Sequence, residues 1–142
     1  MKYLLITFFV GLLFFISCGK DEQTKLEAYN AEAFAYDIGD SWEVNATTRI
    51  KGFNQKEEGG NFTATFSYEI DLVTASGDTI KSLVSQTEDK MKNEKMSDTD
   101  LEAQFELDST YTEGTYKVIF NVKDAYTQQT AVSSAEFVIE EE

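Results

Sequence analysis

Carboxylates are the most abundant side chains in this sequence that could carry out chemistry. Asp and Glu contribute 26 of the 142 residues. The pairs Asp37 with Asp40 and Asp98 with Asp100 could offer oxygen ligands to a calcium ion or an acid and base pair for glycoside hydrolysis. Neither pair lies in the Asp-x-Asp-x-Asp-Gly spacing of a dedicated calcium loop. We therefore expect solvated surface carboxylates, and we predict no metal site and no catalytic residue.

The chain contains no His, which removes the usual general base and the commonest metal ligand. Ser and Thr are frequent, but no Gly-x-Ser-x-Gly elbow and no phosphate-binding glycine loop is present. The sequence predicts a protein that is not an enzyme and needs no cofactor.

The net charge of −14 excludes other function classes. A polyanion with scattered Lys residues repels nucleic acid, so we predict no nucleic-acid partner. The same charge opposes adsorption to an anionic membrane surface. Any membrane attachment must therefore come from a lipid.

Cys18 is the single cysteine, so no internal disulfide can form. It follows a short positive start at Lys2 and an apolar run over residues 3–16. A helix needs about 20 apolar residues to span a bilayer, so this shorter run fits the hydrophobic region of a signal peptide.

Ser17-Cys18 resembles the lipobox of bacterial lipoproteins, in which a small residue precedes the lipid-carrying Cys; Phe15 stands where that family usually has Leu. The resemblance implies that residues 1–17 are a signal peptide and that Cys18 carries fatty acyl chains such as palmitate, which anchor the chain in the outer membrane. The alternative is an ordinary secretory signal with an incidental Cys.

Lys20, Asp21 and Glu22 follow the Cys in a pattern that resembles the surface-export signal of Bacteroidetes lipoproteins. The resemblance implies an anchored protein that faces the cell exterior. A solvated polar linker on a periplasmic protein is the alternative. Asp78-Thr79-Ile80 and Asp108-Ser109-Thr110 resemble the O-glycosylation acceptors of the same group, which implies modification at Thr79 and Ser109. Asp-Thr and Asp-Ser are equally typical of turns.

Alternation of apolar and polar residues predicts strands over most of the mature chain. The first such strand runs from Trp42 to Lys51, and the alternation is cleanest from Phe62 to Leu72. Further strands are expected at 79–84, 101–107, 116–122 and 131–139. We predict residues 18–37 to be the lipidated N-terminus and tether, although residues 33–38 could equally form a first strand. Residues 85–100 are predicted to be a long loop or a marginal, solvent-facing helix.

Strands that are apolar on one side predict antiparallel sheets that each bury one face. Gly114-Thr115-Tyr116 resembles the tyrosine corner of immunoglobulin-like domains, with Val118 where the disulfide Cys would stand. The resemblance implies an all-β fold, an immunoglobulin-like sandwich of about seven strands over residues 38–142. An up-and-down barrel with a ligand cavity is the rival.

Tyr111 and Tyr126 lie near predicted strand ends, where a loop-borne binding surface would form, whereas Trp42 and Tyr68 are expected in the core. We predict a non-catalytic cell-surface lipoprotein that binds a protein, as an accessory subunit of an outer-membrane assembly or as an adhesion module. The alternative is a carbohydrate-binding lipoprotein that captures glycans. Glycan binding requires exposed aromatic residues on one face, and protein binding requires a contiguous apolar patch or an unpaired edge strand.

Overall fold

A computed structural model describes residues 24–140, which form two antiparallel β-sheets arranged as a sandwich. The strands are β1 (Glu27–Asp37), β2 (Ser41–Lys51), β3 (Lys56–Glu58), β4 (Asn61–Val73), β5 (Thr79–Lys92), β6 (Asp98–Asp108), β7 (Gly114–Asp124) and β8 (Thr130–Ile139). Over the described range no helix is long and apolar enough to cross a membrane.

The smaller sheet has the strand order β1-β2-β6. In the larger sheet β4 pairs with β5 along one edge and with β7 along the other, and β8 continues the sheet beyond β7. The short β3 pairs with the first residues of β4. Strand β1 also runs alongside β8, so the two sheets approach each other on that side of the sandwich.

The core lies between the sheets, because each strand directs every second side chain inward. Phe66, Tyr68 and Ile70 of β4 face Val44 and Leu101 of the smaller sheet, and all five are fully buried. Burying each large apolar side chain contributes about 1.5–3 kcal/mol. This apolar interior confirms the predicted all-β sandwich.

Tyr116, whose sequence pattern resembles a tyrosine corner, makes a side-chain hydrogen bond to the backbone. Tyr116 is buried at the start of β7, and its hydroxyl donates to the carbonyl oxygen of Thr112 at 2.7 Å. The Tyr116 ring also stacks on Phe137 of β8. This contact fixes the connection between β6 and β7 against the core.

The prediction of a tether over residues 18–37 was wrong for residues 27–37, since β1 occupies Glu27–Asp37, which includes most of the alternative first strand at residues 33–38. Strand β1 pairs with β2 from Glu27 opposite Lys51 to Asp37 opposite Trp42. Its inward residues include the small Ala33 and Ala35, so the sequence lacks the large inward side chains that identify a core strand. The sandwich therefore begins before residue 38.

The prediction of a loop or helix over residues 85–100 was wrong for residues 85–92 and 98–100, and residues 93–97 do form a connection. Strand β5 continues to Lys92, and β6 begins at Asp98. Gln86, Glu88 and Lys90 of β5 are paired with inward residues of β4, yet they are polar because β5 is an edge strand. Glu88 and Lys90 form an ion pair with each other at 2.5 Å. Backbone pairing with β4 thus forms a strand without apolar alternation.

The first described residues are held at one end of the sandwich. The Gln129 side chain accepts a hydrogen bond from the Leu26 N–H at 3.0 Å and donates to the Thr24 carbonyl at 3.1 Å. Thr24 also donates to the Gly52 carbonyl. We call this the tether end; the opposite, distal end carries the turns at residues 38–40, 74–78 and 109–113.

Candidate functional site

Three large apolar side chains, at every second position, are exposed along the edge strand β1 and the turn that follows it. Phe34, Tyr36 and Ile38 are 55%, 55% and 54% exposed. Phe34 and Tyr36 alternate with the inward Ala33 and Ala35, so β1 places its small residues in the core and its large ones in solvent. We call Phe34, Tyr36 and Ile38 the apolar stripe.

The strand register places polar and acidic residues beside the apolar stripe. Tyr36 lies opposite Glu43 of β2, which lies opposite Glu106 of β6. One row closer to the tether end, Phe34, Asn45 and Gln104 follow the same order. Directly opposed side chains have Cβ atoms about 5 Å apart. The outer face of the smaller sheet therefore joins two aromatic rings to carboxylates and amides.

The hydrogen bonds on this face leave its negative charge uncompensated. Asn45 Nδ2 donates to Glu43 Oε1 at 3.0 Å, and the Ser41 hydroxyl donates to Glu106. The ion pairs found among the described residues do not involve Glu43 or Glu106. Both carboxylates thus face solvent next to the apolar stripe without a cationic partner.

The same sheet is neutralised nearer the tether end. Arg49 pairs with Asp98 at 2.7 Å and with Asp100 at 3.5 Å, and Lys51 pairs with Glu27 at 2.9 Å. Coulombic attraction to Asp98 raises the pKa of Arg49 above its ordinary value. The acidic character of the sheet is consequently concentrated near the distal end.

A cleft of about 300 Å³ opens at the distal end, beyond the apolar stripe. It lies between the turn that joins β1 to β2 and the connection before β7, and its lining includes Asp37, Asp40, Trp42, Ser109 and Tyr111. We call it the end cleft. Its combination of carboxylates and aromatic rings suits a cationic or amphipathic group.

A second concave surface lies on the outer face of the larger sheet. This basin of about 520 Å³ is lined mostly by polar residues, among them Ser67, Ser85, Thr87 and Asn121. It lacks the exposed aromatic platform on which a sugar ring could stack. Among residues 24–140, the aromatic rings that are more than half exposed are those of Phe34 and Tyr36 on the smaller sheet.

The structure separates the two tyrosines that were predicted to share a binding surface. Tyr111 is half-buried at the distal end, where its ring packs 6.2 Å from that of Tyr116. Tyr126 follows β7 at the tether end, where its hydroxyl lies 3.1 Å from the Thr65 hydroxyl and Lys56 Nζ lies 4.6 Å from its ring centre. Tyr111 lines the end cleft, while Tyr126 contributes to a different surface.

Thr79 and Ser109 are both exposed at the distal end. The preceding Asp residues serve their turns: Asp108 accepts the Thr110 N–H at 2.9 Å, and Asp78 accepts the Ser76 hydroxyl at 2.9 Å. Hydrogen bonds from Thr110 lower the pKa of Asp108. The residues are accessible for modification, and their aspartates also have the turn role that the sequence allowed.

The carboxylate pairs considered for chemistry have structural partners. Asp37 accepts the Gly39 N–H at 2.7 Å, and Asp98 accepts from the Tyr29 hydroxyl at 3.2 Å in addition to its Arg49 ion pair. Within residues 24–140 no group of three or more Asp, Glu, Cys or His side chains is arranged to hold a metal ion. Cys18, Lys20, Asp21 and Glu22 lie outside the described residues.

Two buried carboxylates were missed by the sequence reasoning. Asp124 accepts the N–H groups of Asn54 and Tyr126 at 2.9 and 2.8 Å. Asp71 accepts from Lys81, Ser82 and Asn121, at a bulge where β5 places several residues opposite one residue of β4. Both organise turns or bulges. Their polar positions in the strand pattern gave no sign of burial.

Comparison with known proteins gives a likeness of fold. No protein-family model and no curated protein matches the sequence. Among solved structures, a Bacteroides uniformis β-glucuronidase is similar at a TM-score of 0.53 and 10% sequence identity. The match covers 81% of this chain and 14% of the glucuronidase chain. This chain therefore resembles one part of a much longer protein in its fold.

Proposed function

We propose that this chain is a non-catalytic, lipid-anchored surface protein whose sandwich binds another protein through the apolar stripe. The observation that carries the proposal is the exposure of Phe34, Tyr36 and Ile38 along one edge strand. Most other large apolar side chains of the sandwich are buried, and the exposed exceptions, Met91, Val132 and Val138, lie on strands of the larger sheet. An exposed run of three large apolar side chains along one strand and its turn is typical of a protein interface.

An immunoglobulin-like sandwich is supported by the topology. The smaller sheet β1-β2-β6 faces a larger sheet in which β5, β4, β7 and β8 are neighbours. The Tyr116 hydrogen bond to Thr112 matches the tyrosine corner of such domains. Sandwiches of this kind commonly present recognition surfaces on a rigid frame.

The position of the first described residues determines how a lipid on Cys18 would orient the sandwich. Six residue steps separate Cys18 from Thr24, which span at most about 20 Å when extended. Tyr36 lies nine residues beyond Glu27 along β1, or about 30 Å towards the distal end. A lipid on Cys18 would therefore hold the tether end near the membrane and present the apolar stripe away from it.

The partner is tested by affinity purification of the lipidated protein from detergent-solubilised outer membranes. We expect the wild type to retain a stoichiometric protein partner that the double variant Phe34→Ser and Tyr36→Ser loses. Met91→Ser is the matched control, since Met91 is 63% exposed on the edge strand of the other sheet. Recovery without a partner, or equal recovery by all three proteins, would refute protein binding through the apolar stripe.

The anchor is tested by Cys18→Ala, which should release the protein from membranes. Retention in the membrane fraction would contradict the lipid anchor. Digestion of intact cells with protease tests the outward orientation implied by Lys20, Asp21 and Glu22. A protein that resists digestion until the cells are broken would be periplasmic.

Carbohydrate binding is the second candidate, and one observation favours it. Phe34 and Tyr36 project from one face beside the amides of Asn45 and Gln104, a combination that can stack on and hydrogen-bond to a sugar. Affinity electrophoresis in gels that contain soluble polysaccharides distinguishes the two. Retardation of the wild type, but not of Phe34→Ser with Tyr36→Ser, would support glycan capture over protein binding.

A further inference from the structure

The charge around the apolar stripe identifies the chemistry of the partner. Two rows of the smaller sheet, Tyr36-Glu43-Glu106 and Phe34-Asn45-Gln104, contain aromatic, amide and carboxylate side chains and no cation. The next row, Glu32-Thr47-Glu102, adds two more carboxylates. Across these nine positions four are Glu and none is Lys or Arg.

Glu43 and Glu106 stand directly opposite each other on neighbouring strands. Like charges in that position destabilise a sheet. Elsewhere in the same sheet opposite charges meet instead, as Lys51 and Glu27 do. A local arrangement that opposes stability in an otherwise consistent fold is expected at a functional surface.

The end cleft extends the same chemistry past Ile38. Asp37 and Asp40 bring carboxylates to its rim, and Trp42 and Tyr111 bring aromatic rings. Its volume of about 300 Å³ is sufficient for one long side chain. A Lys or Arg side chain would meet ion-pairing and cation–π partners there.

Charge also argues against two other occupants of this face. A second copy of the chain would bring carboxylates against carboxylates, because the chain carries a net charge of −14. An anionic lipid surface would be repelled for the same reason. A polypeptide with the opposite charge is complementary.

We propose that the partner docks a cationic, Lys- or Arg-bearing segment with apolar side chains on this face. Its apolar side chains cover the apolar stripe, its cations pair with Glu43 and Glu106, and one cation enters the end cleft. This inference rests on the proposed function and specifies the partner class of that same surface.

The test uses the mature chain with Cys18→Ala, which retains every described residue and avoids detergent. The probes are two synthetic ten-residue peptides, one alternating Lys with Val and one alternating Glu with Val. Titration calorimetry should detect binding of the Lys peptide and none of the Glu peptide. Equal binding of both peptides, or no binding of the Lys peptide at millimolar concentration, would overturn the proposal.

Charge variants locate the binding. The double variant Glu43→Gln and Glu106→Gln should lower the affinity for the Lys peptide by about 5- to 10-fold at low salt, since two ion pairs are lost. The control is Glu57→Gln with Glu58→Gln, an exposed pair on β3 of the other sheet, which should leave affinity unchanged. Equal weakening by both pairs would show a response to net charge alone and would refute a specific face.

The same variants in the membrane purification separate this inference from the proposed function. The purification is repeated in about 0.5 M salt, which screens exposed ion pairs. A partner that is lost with Phe34→Ser and Tyr36→Ser, yet retained by Glu43→Gln with Glu106→Gln, would leave protein binding intact and refute a cationic partner. Absence of any partner would refute the proposed function itself. Loss of the partner with both double variants supports both.

Discussion

Asp71→Asn tests how much the buried polar network of the larger sheet stabilises the fold. Asp71 is 4% exposed, and its carboxylate accepts from Lys81 Nζ at 2.7 Å, the Ser82 N–H at 2.9 Å and Asn121 Nδ2 at 3.0 Å. The amide has the same shape but loses the charge and turns an NH₂ group towards donors. We expect the free energy of unfolding to fall by about 2–3 kcal/mol, since hydrogen bonds to a buried charged group are each worth about 1.5–3 kcal/mol and Lys81 is largely solvated.

The pH dependence of that loss has a definite sign. Burial of Asp71 acts to raise its pKa, but hydrogen bonds from Lys81, Ser82 and Asn121 outweigh it and hold the pKa below the ordinary 3.8. A carboxyl with a lowered pKa in the folded protein contributes stability that is present above the unfolded pKa. That stability is lost as pH falls through the folded pKa. The difference between wild type and Asp71→Asn should therefore be constant near neutral pH and shrink below about pH 4.

Urea denaturation of both proteins at pH 7, 5, 4 and 3, followed by circular dichroism, measures this difference. Asp89→Asn is the control, because Asp89 is an exposed residue of β5 that accepts only the Thr65 hydroxyl among the hydrogen bonds of the described chain. The free energy of unfolding of Asp89→Asn should fall by less than about 1 kcal/mol. A loss in Asp71→Asn that is no larger than the control, or that grows on acidification, would refute the network.

Three further changes test other parts of the structure. Gly52→Ala should destabilise the tether end and expose it to protease, because the added Cβ would lie 2.0 Å from the Lys25 carbonyl oxygen and Gly52 has a φ of +74°; limited proteolysis and thermal unfolding measure this. Tyr116→Phe should cost about 0.5–1.5 kcal/mol in urea unfolding through loss of the hydrogen bond to Thr112, with its ring contacts intact. Burial raises the pKa of Tyr68 to about 12, so stability should be lost as pH rises from about 10 through 12. Ultraviolet titration should show one tyrosine that ionises at higher pH than the others, and this late step should be absent in Tyr68→Phe. Unchanged stability in either of the first two variants, or an unaltered titration in the third, would contradict the contact concerned.

Much of the sandwich could be predicted from the sequence, because large inward side chains identify a strand by themselves. Strand β4 is the clearest case: Phe66, Tyr68 and Ile70 alternate with polar residues and are buried as expected. Trp42 packs against the core as predicted. The backbone hydrogen bond of Tyr116 could be expected because Gly114-Thr115-Tyr116 forms a short, recognisable pattern.

The second half of β5 was missed, and β1 was expected only as the alternative first strand at residues 33–38, because tertiary pairing, rather than apolar alternation, determines them. Strand β1 turns Ala33 and Ala35 inward and Phe34 outward, the reverse of the usual pattern. Strand β5 directs Gln86 and Glu88 to the inner side of an edge. Such strands are defined by pairing with a neighbouring strand. Pairing can be inferred from a sequence only where both strands show apolar alternation.

The apolar stripe was overlooked for the same reason. Phe34 and Tyr36 lie in a segment predicted to be tether, with a strand over residues 33–38 as the alternative, and no binding role was assigned to them. A signal was present: two aromatic residues alternate with Ala33 and Ala35, which is the pattern of a strand whose larger side faces solvent. The acidic face depends on register between three strands, and no local pattern contains that register.

Site-specific photocrosslinking in living cells tests protein binding through the apolar stripe most directly. A benzophenone-bearing amino acid would replace Tyr36 in one strain and Met91, the exposed residue of the opposite sheet edge, in another. We predict that irradiation links position 36 to one discrete protein and that position 91 gives no such product. No product at position 36, or the same products at both positions, would contradict protein binding through this strand.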